Sequence, residues 1–490
     1  MMMQKIVCCA TPPAVTPTIV PSQGSTSLPV RTIPGGYGLP MVGPLKDRLD
    51  YFWFQGPSTY FKKRIEEHKS TVFRTNMPPT FPFFMGVNPN VIAVLDCKSF
   101  AHMFDMELVE KKNILIGDFM PSTGFTGDVR VCAYLDTSEP QHTQVKKFAK
   151  EILKRSSKIW VPTVTSNLDT MWNTIESDIE KSESGSVTPL VQLQQFIFNF
   201  LTRCLIGVDP SKSPEVAEKG YMWLDAWLAL QVLPTVSIPS LQPLVEIFAH
   251  SFAYPSFLVS GGYNKLAEFI EKEGQEVLEL AQNEFGLGKK EALHNLIFIL
   301  GFNAFGGFTV FLPAIFSALG NDKTGLQQKL RNEVKEKIGT SSLSFDLVKQ
   351  LDLVNSFVYE TLRLNPPVPL QYARARKDFT LSSHNSAFEI KKGELLCGYQ
   401  PQVMRDEKVF EEPEKFVADR FTTKKGSELL NYLYWSNGPQ TGTPSESNKQ
   451  CAGKDYVTLT TSIIVAHMFQ RYEYLSIDSQ GSISKVEHAK

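Results

Sequence analysis

From about Ser138 onward, apolar residues recur at three- and four-residue intervals, the spacing of helices with one buried face. The pattern predicts helices over residues 144–153, 192–205, 263–283, 291–312, 325–338 and 344–364, and a final apolar helix over 456–469. The earlier part of the chain reads differently. Val72, Phe73, Arg74, Thr75 and Asn76 form a short β-rich run, as do Val91, Ile92, Ala93, Val94 and Leu95. Further extended pieces are predicted at residues 379–383, 388–390 and 395–399. No repeat period or Gly/Ser linker divides the chain. The expectation is one large, mainly α domain with minor β-sheets over residues 34–490.

Residues 295–320 contain no charged side chain and are long enough to span a bilayer, which takes about 20 apolar residues. Asn303, Gly306, Gly307 and Pro313 interrupt the middle, and no second comparable span follows. A long helix through the core is therefore expected. The aromatic-rich stretch 221–258, with Trp223, Trp227, Phe248, Phe252 and Phe257, reads either as channel wall or membrane-contact surface, or as ordinary core.

Composition narrows the function classes. The 490 residues carry a formal net charge of −1 and are 42% hydrophobic, which leaves no broad positive field for nucleic acid. Seven scattered cysteines without a Cys-x-x-Cys pair fit a reducing compartment, not a disulfide framework. Residues 1–33 lack any acid (the first is Asp47) and are rich in Ser, Thr, Pro and Val, with Lys5 and Arg31 as early positive charges. Such leaders resemble plastid transit segments. A plain disordered tail is the alternative.

Glu360 and Arg363 stand three apart, on one helix face, beside Phe357, Val358 and Leu362 and before the stop Pro366-Pro367. A charged pair in apolar surroundings needs full hydrogen bonding, and Arg420, in the run from Pro413 to Phe421, offers a third member. The late Cys451 precedes Ala452, Gly453 and the final apolar helix, where the helix dipole and free amides favour a thiolate.

A Glu-x-x-Arg helix, then Pro-x-x-Phe-x-x-x-Arg-Phe, then a late cysteine resembles the cytochrome P-450 superfamily. The resemblance implies haem b, held between the long central helix and the cysteine loop with Cys451 on the iron. Two departures stand out. Residues 438–451 are stretched by a Ser/Thr/Pro-rich insertion, and Lys449 stands where the superfamily usually places a propionate-binding arginine. The central helix reads Gly301-Phe302-Asn303-Ala304-Phe305-Gly306-Gly307-Phe308-Thr309, without the acid that monooxygenases use to protonate bound dioxygen.

Both departures resemble the plant family that rearranges or cleaves lipid hydroperoxides. The likeness covers nearly the whole chain after the leader. It is carried by Asn76-Met77-Pro78-Pro79, Phe302 to Gly307, Gly398-Tyr399-Gln400-Pro401, Trp435 to Pro439 and Asn448-Lys449-Gln450-Cys451. It implies homolytic O–O cleavage without dioxygen or reductase, with Asn303 holding the hydroperoxide. Phe302, Phe305 and Thr309 are then candidate substrate contacts. Lys111, His142, Lys146 and Lys449 are candidate propionate contacts, with a solvated face as the alternative reading of the first three.

Within that family, synthases typically carry a phenylalanine where Leu115 stands here, and lyases a leucine. The stretches Thr80 to Phe84 and Gly438 to Gly442 also resemble lyases. The expectation is therefore a lyase for 13-hydroperoxides of linolenic and linoleic acids. It would act through an epoxyallylic radical and a hemiacetal, giving a six-carbon aldehyde and a 12-oxo acid. Allene oxide or divinyl ether synthase is the alternative. A chloroplast location, at envelope or thylakoid, and peripheral membrane contact complete the expectation.

Overall fold

Pro140 opens a 42-residue helix, α1 (Pro140–Lys181), at its first turn, where proline's missing N–H has no helical partner to lose. The computed structural model in which it is seen describes residues 28–79, 84, 86–236 and 249–489. Three more helices frame the molecule: α2 (Lys289–Asn321), α3 (Asp352–Leu364) and α4 (Lys454–Arg471). α4 packs on both α1 and α3, and α2 packs on α3.

Trp160 and Trp172 of α1, Phe308 and Phe311 of α2, Phe357 of α3 and Ile463 of α4 meet in the main core. All six are almost fully buried, each such side chain contributing about 1.5–3 kcal/mol. Trp160 Nε1 donates to Thr460 Oγ1 at 2.8 Å and ties α1 to α4.

α2 is the one helix among the described residues apolar and long enough to cross a membrane. Its Leu296, Phe298, Leu300, Leu312 and Ile315 are nevertheless buried in the main core, as expected for a core helix. Over Ile299–Phe305 it widens into π geometry, with hydrogen bonds reaching five residues instead of four. Glycine permits close packing there: a Cβ on Gly301 would stand 2.9 Å from both Leu224 and Trp227, and one on Gly306 2.6 Å from Leu228.

The described strands are β1 (Val72–Asn76), β2 (Asn90–Val94), β3 (Val109–Glu110), β4 (Leu370–Ala375), β5 (Phe379–Ser382), β6 (Ala387–Ile390), β7 (Leu395–Tyr399), β8 (Tyr472–Ile477) and β9 (Ile483–His488). Five form a sheet in the order β1-β2-β7-β4-β3, while β5-β6 and β8-β9 are hairpins. β7 is buried along its whole length, so its apolar run Leu-Leu-Cys-Gly-Tyr suits a central strand.

Several boundaries differ from the sequence pattern for local reasons. The predicted helix 344–364 is two pieces, because Glu333 accepts from the N–H groups of Leu353 and Val354 at 3.0 and 2.9 Å and caps α3 from outside. The predicted helix 263–283 breaks at Gly274, where a Cβ would stand 2.8 Å from the Ile270 carbonyl.

Most of the expected leader lies outside the described residues. Its end does not: Arg31 donates to the Ala387 carbonyl at 2.9 Å, Ala387 donates to that of Pro29 at 3.0 Å, and Ile33 is buried against the sheet. The folded part thus begins by Pro29, ahead of the expected boundary at 34. The aromatic stretch divides. Trp227 is core, Phe252 and Phe257 are exposed, and Phe248 lies outside the described residues, as do Thr80, Phe81, Pro82 and Phe83.

Candidate active site

The Ser/Thr/Pro-rich insertion before Cys451 is wound around one side chain. Gln450 Nε2 donates to the Pro439 carbonyl at 2.6 Å and to Ser436 Oγ at 3.1 Å. Gly442 leaves room for it, since a Cβ there would stand 2.7 Å from Gln450 Oε1. Cys451 N–H donates to the Ser436 carbonyl at 2.9 Å, and the Cys451 carbonyl accepts from Lys454 N–H at 3.2 Å as α4 begins. Burial raises the Cys451 thiol, while the Gly453 N–H and the charges of Lys146 and Lys454 favour its thiolate.

Basic side chains gather round this loop. Lys449 Nζ donates to the carbonyls of Cys132 and Leu135 at 2.9 and 2.7 Å. Lys146, from α1, donates to the Asn448 and Gln450 carbonyls. Lys111, from the segment after β3, reaches Asn437 Oδ1 at 2.5 Å and Gln371 Oε1 at 3.4 Å. His142 is buried on the first turn of α1, its Nδ1 without a hydrogen-bond partner among the described residues.

Desolvation, reinforced by the Lys449 charge, lowers Lys111 to about 7 and His142 to about 4. Desolvation also lowers Lys449 to about 8. None of the three lysines forms a salt bridge among the described residues. The nearest buried acid, Asp136, accepts instead from the Lys111 backbone N–H and from Arg376. Buried cations held by neutral oxygens fit a bound group that brings carboxylates of its own. Two propionates beside a thiolate-ligated iron are such a group. All four basic residues expected from the sequence are thus brought to the cysteine loop.

α2 supplies the apolar wall. Asn303 is exposed in the middle of the π segment, although the helix around it is largely core. Its Nδ2 lies 3.9 Å from Cys132 Sγ. Phe302 is half-buried and stacks on Phe298 with centroids 4.6 Å apart. Thr309 Oγ1 is buried with no partner among the described residues. Phe305, expected to touch substrate, is instead fully buried in the main core, because the helix turns it toward its packed side. Leu115 is half-buried against that core, in a tight loop where it bridges Gly117. Among the described residues, no hydrogen bond links Leu115 or Thr309 to the Asn303 contact.

Behind the loop, Glu360 accepts from Arg363 at 2.7 and 2.8 Å and from Arg420 at 3.0 and 3.1 Å. Val417 N–H adds a third donor residue at 2.9 Å, and Arg363 also donates to the carbonyls of Met404, Pro413 and Lys415. Glu360 and Arg363 are fully buried, so this set is structural.

Sequence reasoning gave no role to Asn437, Gln450 or Cys132. Asn437 had one available signal, because an asparagine flanked by Ser and Gly-Pro suits the left-handed turn it adopts, with φ 62°.

A cysteine at a helix start, ringed by basic side chains without a carboxylate partner among the described residues and backed by a Glu–Arg–Arg set, defines a haem-thiolate protein of the cytochrome P450 class. The cytochrome P450 family profile matches residues 312–488. The chain is 65% identical over 466 residues to fatty acid hydroperoxide lyase, chloroplastic, of Solanum lycopersicum, covering 94% of this chain and 97% of that protein. It is 58% identical over 472 residues to linolenate hydroperoxide lyase, chloroplastic, of Arabidopsis thaliana, covering 96% and 95%. Allene oxide synthase, chloroplastic, of Linum usitatissimum is 41% identical over 469 residues, covering 95% and 86%. The chain belongs to the plant fatty acid hydroperoxide lyase family of cytochromes P450, and its cofactor is haem.

Proposed function

We propose that the chain cleaves 13-hydroperoxides of polyunsaturated fatty acids to a six-carbon aldehyde and a 12-oxo acid, with neither dioxygen nor reductase. The observation that carries this reading is Asn303, an exposed amide on the widened middle of an otherwise apolar core helix. When bound, a thiolate-ligated haem supplies scission of the O–O bond.

The protein's own share is orientation. An amide is uncharged at every relevant pH and offers two donors and an acceptor. Accepting from the hydroperoxide O–H and donating to a peroxide oxygen, Asn303 holds the O–O bond in one direction. Residues 295–320 offer no carboxylate for proton delivery, which suits a substrate that brings both oxygens. Phe302 and Thr309 border the acyl chain. Leu115 presents an aliphatic surface without a π face to stabilise a carbon radical, and so leaves C–C cleavage as the outcome.

Feeding the purified, haem-loaded protein the 13-hydroperoxide of linolenic acid, without reductant, tests the proposal. Six-carbon aldehyde with 12-oxo acid supports it. Ketols or a vinyl ether as the main products would assign the chain to a synthase activity instead.

The chloroplastic names of the relatives support a chloroplast location. Peripheral contact with envelope or thylakoid lipid is supported by Trp53, Phe54, Phe252 and Phe257, all exposed. The two segments meet where Phe52 stacks on His250 at 3.7 Å.

A further inference from the structure

Every polar group of Cys132 has a partner. Its N–H donates to Asn295 Oδ1 at 2.9 Å, its carbonyl accepts from Lys449 Nζ at 2.9 Å, and its Sγ meets Asn303 Nδ2 at 3.9 Å. Asn295 and Asn303 both belong to α2, eight residues apart. Asn295 is itself fixed, its Nδ2 donating to the Glu291 carbonyl at 3.0 Å. The backbone of residue 132 is therefore held from the central helix on one side and from the cysteine loop on the other. The backbone that carries the sulfur is set by that frame, independently of Asn303.

A carboxamide can sit in two orientations that exchange oxygen and nitrogen. The choice matters to a hydroperoxide, which needs an acceptor for its O–H and a donor for its oxygen. Turned oxygen-first toward the sulfur, Asn303 would present only donors to the substrate. Turned nitrogen-first, it keeps Oδ1 and one N–H free. Sulfur is a weak acceptor; burial raises the Cys132 thiol, while the Lys449 and Lys146 charges, the Asn303 amide and the Ala133 N–H all act in the opposite direction.

We propose that Cys132 is a positioning residue, whose sulfur holds the Asn303 amide nitrogen-first so that Oδ1 and the second N–H face the hydroperoxide. This rests on the role given to Asn303 above. A long N–H···S contact is weak, so the effect is graded. Cys132→Ala lowers kcat about two- to threefold, the low end of the range for one hydrogen bond, with KM changed less than twofold. Cys132→Ser restores little, because the shorter C–O bond leaves its oxygen beyond hydrogen-bond reach of Nδ2.

The test uses the full chain loaded with haem, with the thiolate-ligated absorption spectrum recorded for each variant. If the parent protein does not consume hydroperoxide without reductant, the functional reading fails. If the parent is active and Cys132→Ala keeps its kcat within 1.5-fold, the positioning role alone fails.

A second measurement needs no turnover. Asn303 donates to the sulfur, so Asn303→Ala should move the pH midpoint of Cys132 alkylation upward, read by mass spectrometry. An unmoved midpoint overturns the proposal even where Cys132→Ala does not fold.

Discussion

Asn437 joins Lys111 to the cysteine loop: its Oδ1 accepts from Lys111 Nζ at 2.5 Å while its Nδ2 donates to the Lys449 carbonyl at 3.1 Å. One amide thereby sets the distance between two basic residues that come from opposite ends of the sequence. Asn437→Ala removes the acceptor from a buried ammonium, a loss of about 1.5–3 kcal/mol. Haem dissociation should quicken at least tenfold, measured by transfer to a haem-scavenging globin, with Cys451 still coordinated in what remains bound.

A propionate paired with Lys111 would make haem uptake a proton-linked event. Below pH about 7 its ammonium is charged in both the folded and the unfolded chain, and burial destabilises the fold to its full extent. Between about 7 and the ordinary 10.5 the folded chain has released a proton that the unfolded chain keeps, so the haem-free protein gains stability as pH rises through that window. A propionate beside Lys111 reverses this by favouring the charged form. At pH 8, haem binding should take up on the order of one proton, read by calorimetry in buffers of different ionisation enthalpy. Lys111→Met should abolish most of it.

Glu360→Ala leaves two arginines without their shared carboxylate. Breaking a buried pair from one side destabilises by about 3–5 kcal/mol, a large fraction of the stability of any domain. Urea denaturation should show a midpoint well below the parent's. Lys337→Ala, which removes the partly exposed pairs to Asp352 and Glu333, should cost less than about 1 kcal/mol and leave the midpoint near the parent's.

Leu115→Phe introduces an aromatic face where the chain has a branched aliphatic side chain. A preference of about 1.4 kcal/mol changes a product ratio tenfold. Ketols from a hydrolysed allene oxide should rise at the expense of the six-carbon aldehyde. An unchanged mixture by gas chromatography would remove Leu115 from the steering role.

What the sequence made legible was what it wrote locally. Glu360 and Arg363 share one turn, and the apolar run from Asn295 to Gly320 announces a buried helix by its lack of charge. The long-range partners were not legible. Lys111 and Asn437 are 326 residues apart, and Asn303 meets Cys132 across 171. Glu333 splits one predicted helix by capping its second part from twenty residues upstream, which no periodicity encodes. Phe305 shows a different limit: a motif carried over by resemblance does not say which side chains a widened turn sends inward.

The π segment of α2 also has an evolutionary corollary. A turn that closes over five residues in place of four holds one residue more than a regular helix needs. Deleting a single position there, such as Ala304, would let the flanking stretches keep their phase and their neighbours while residue 303 swung to another side. A lineage could in this way shed catalysis in one small step and still inherit an intact, well-folded scaffold.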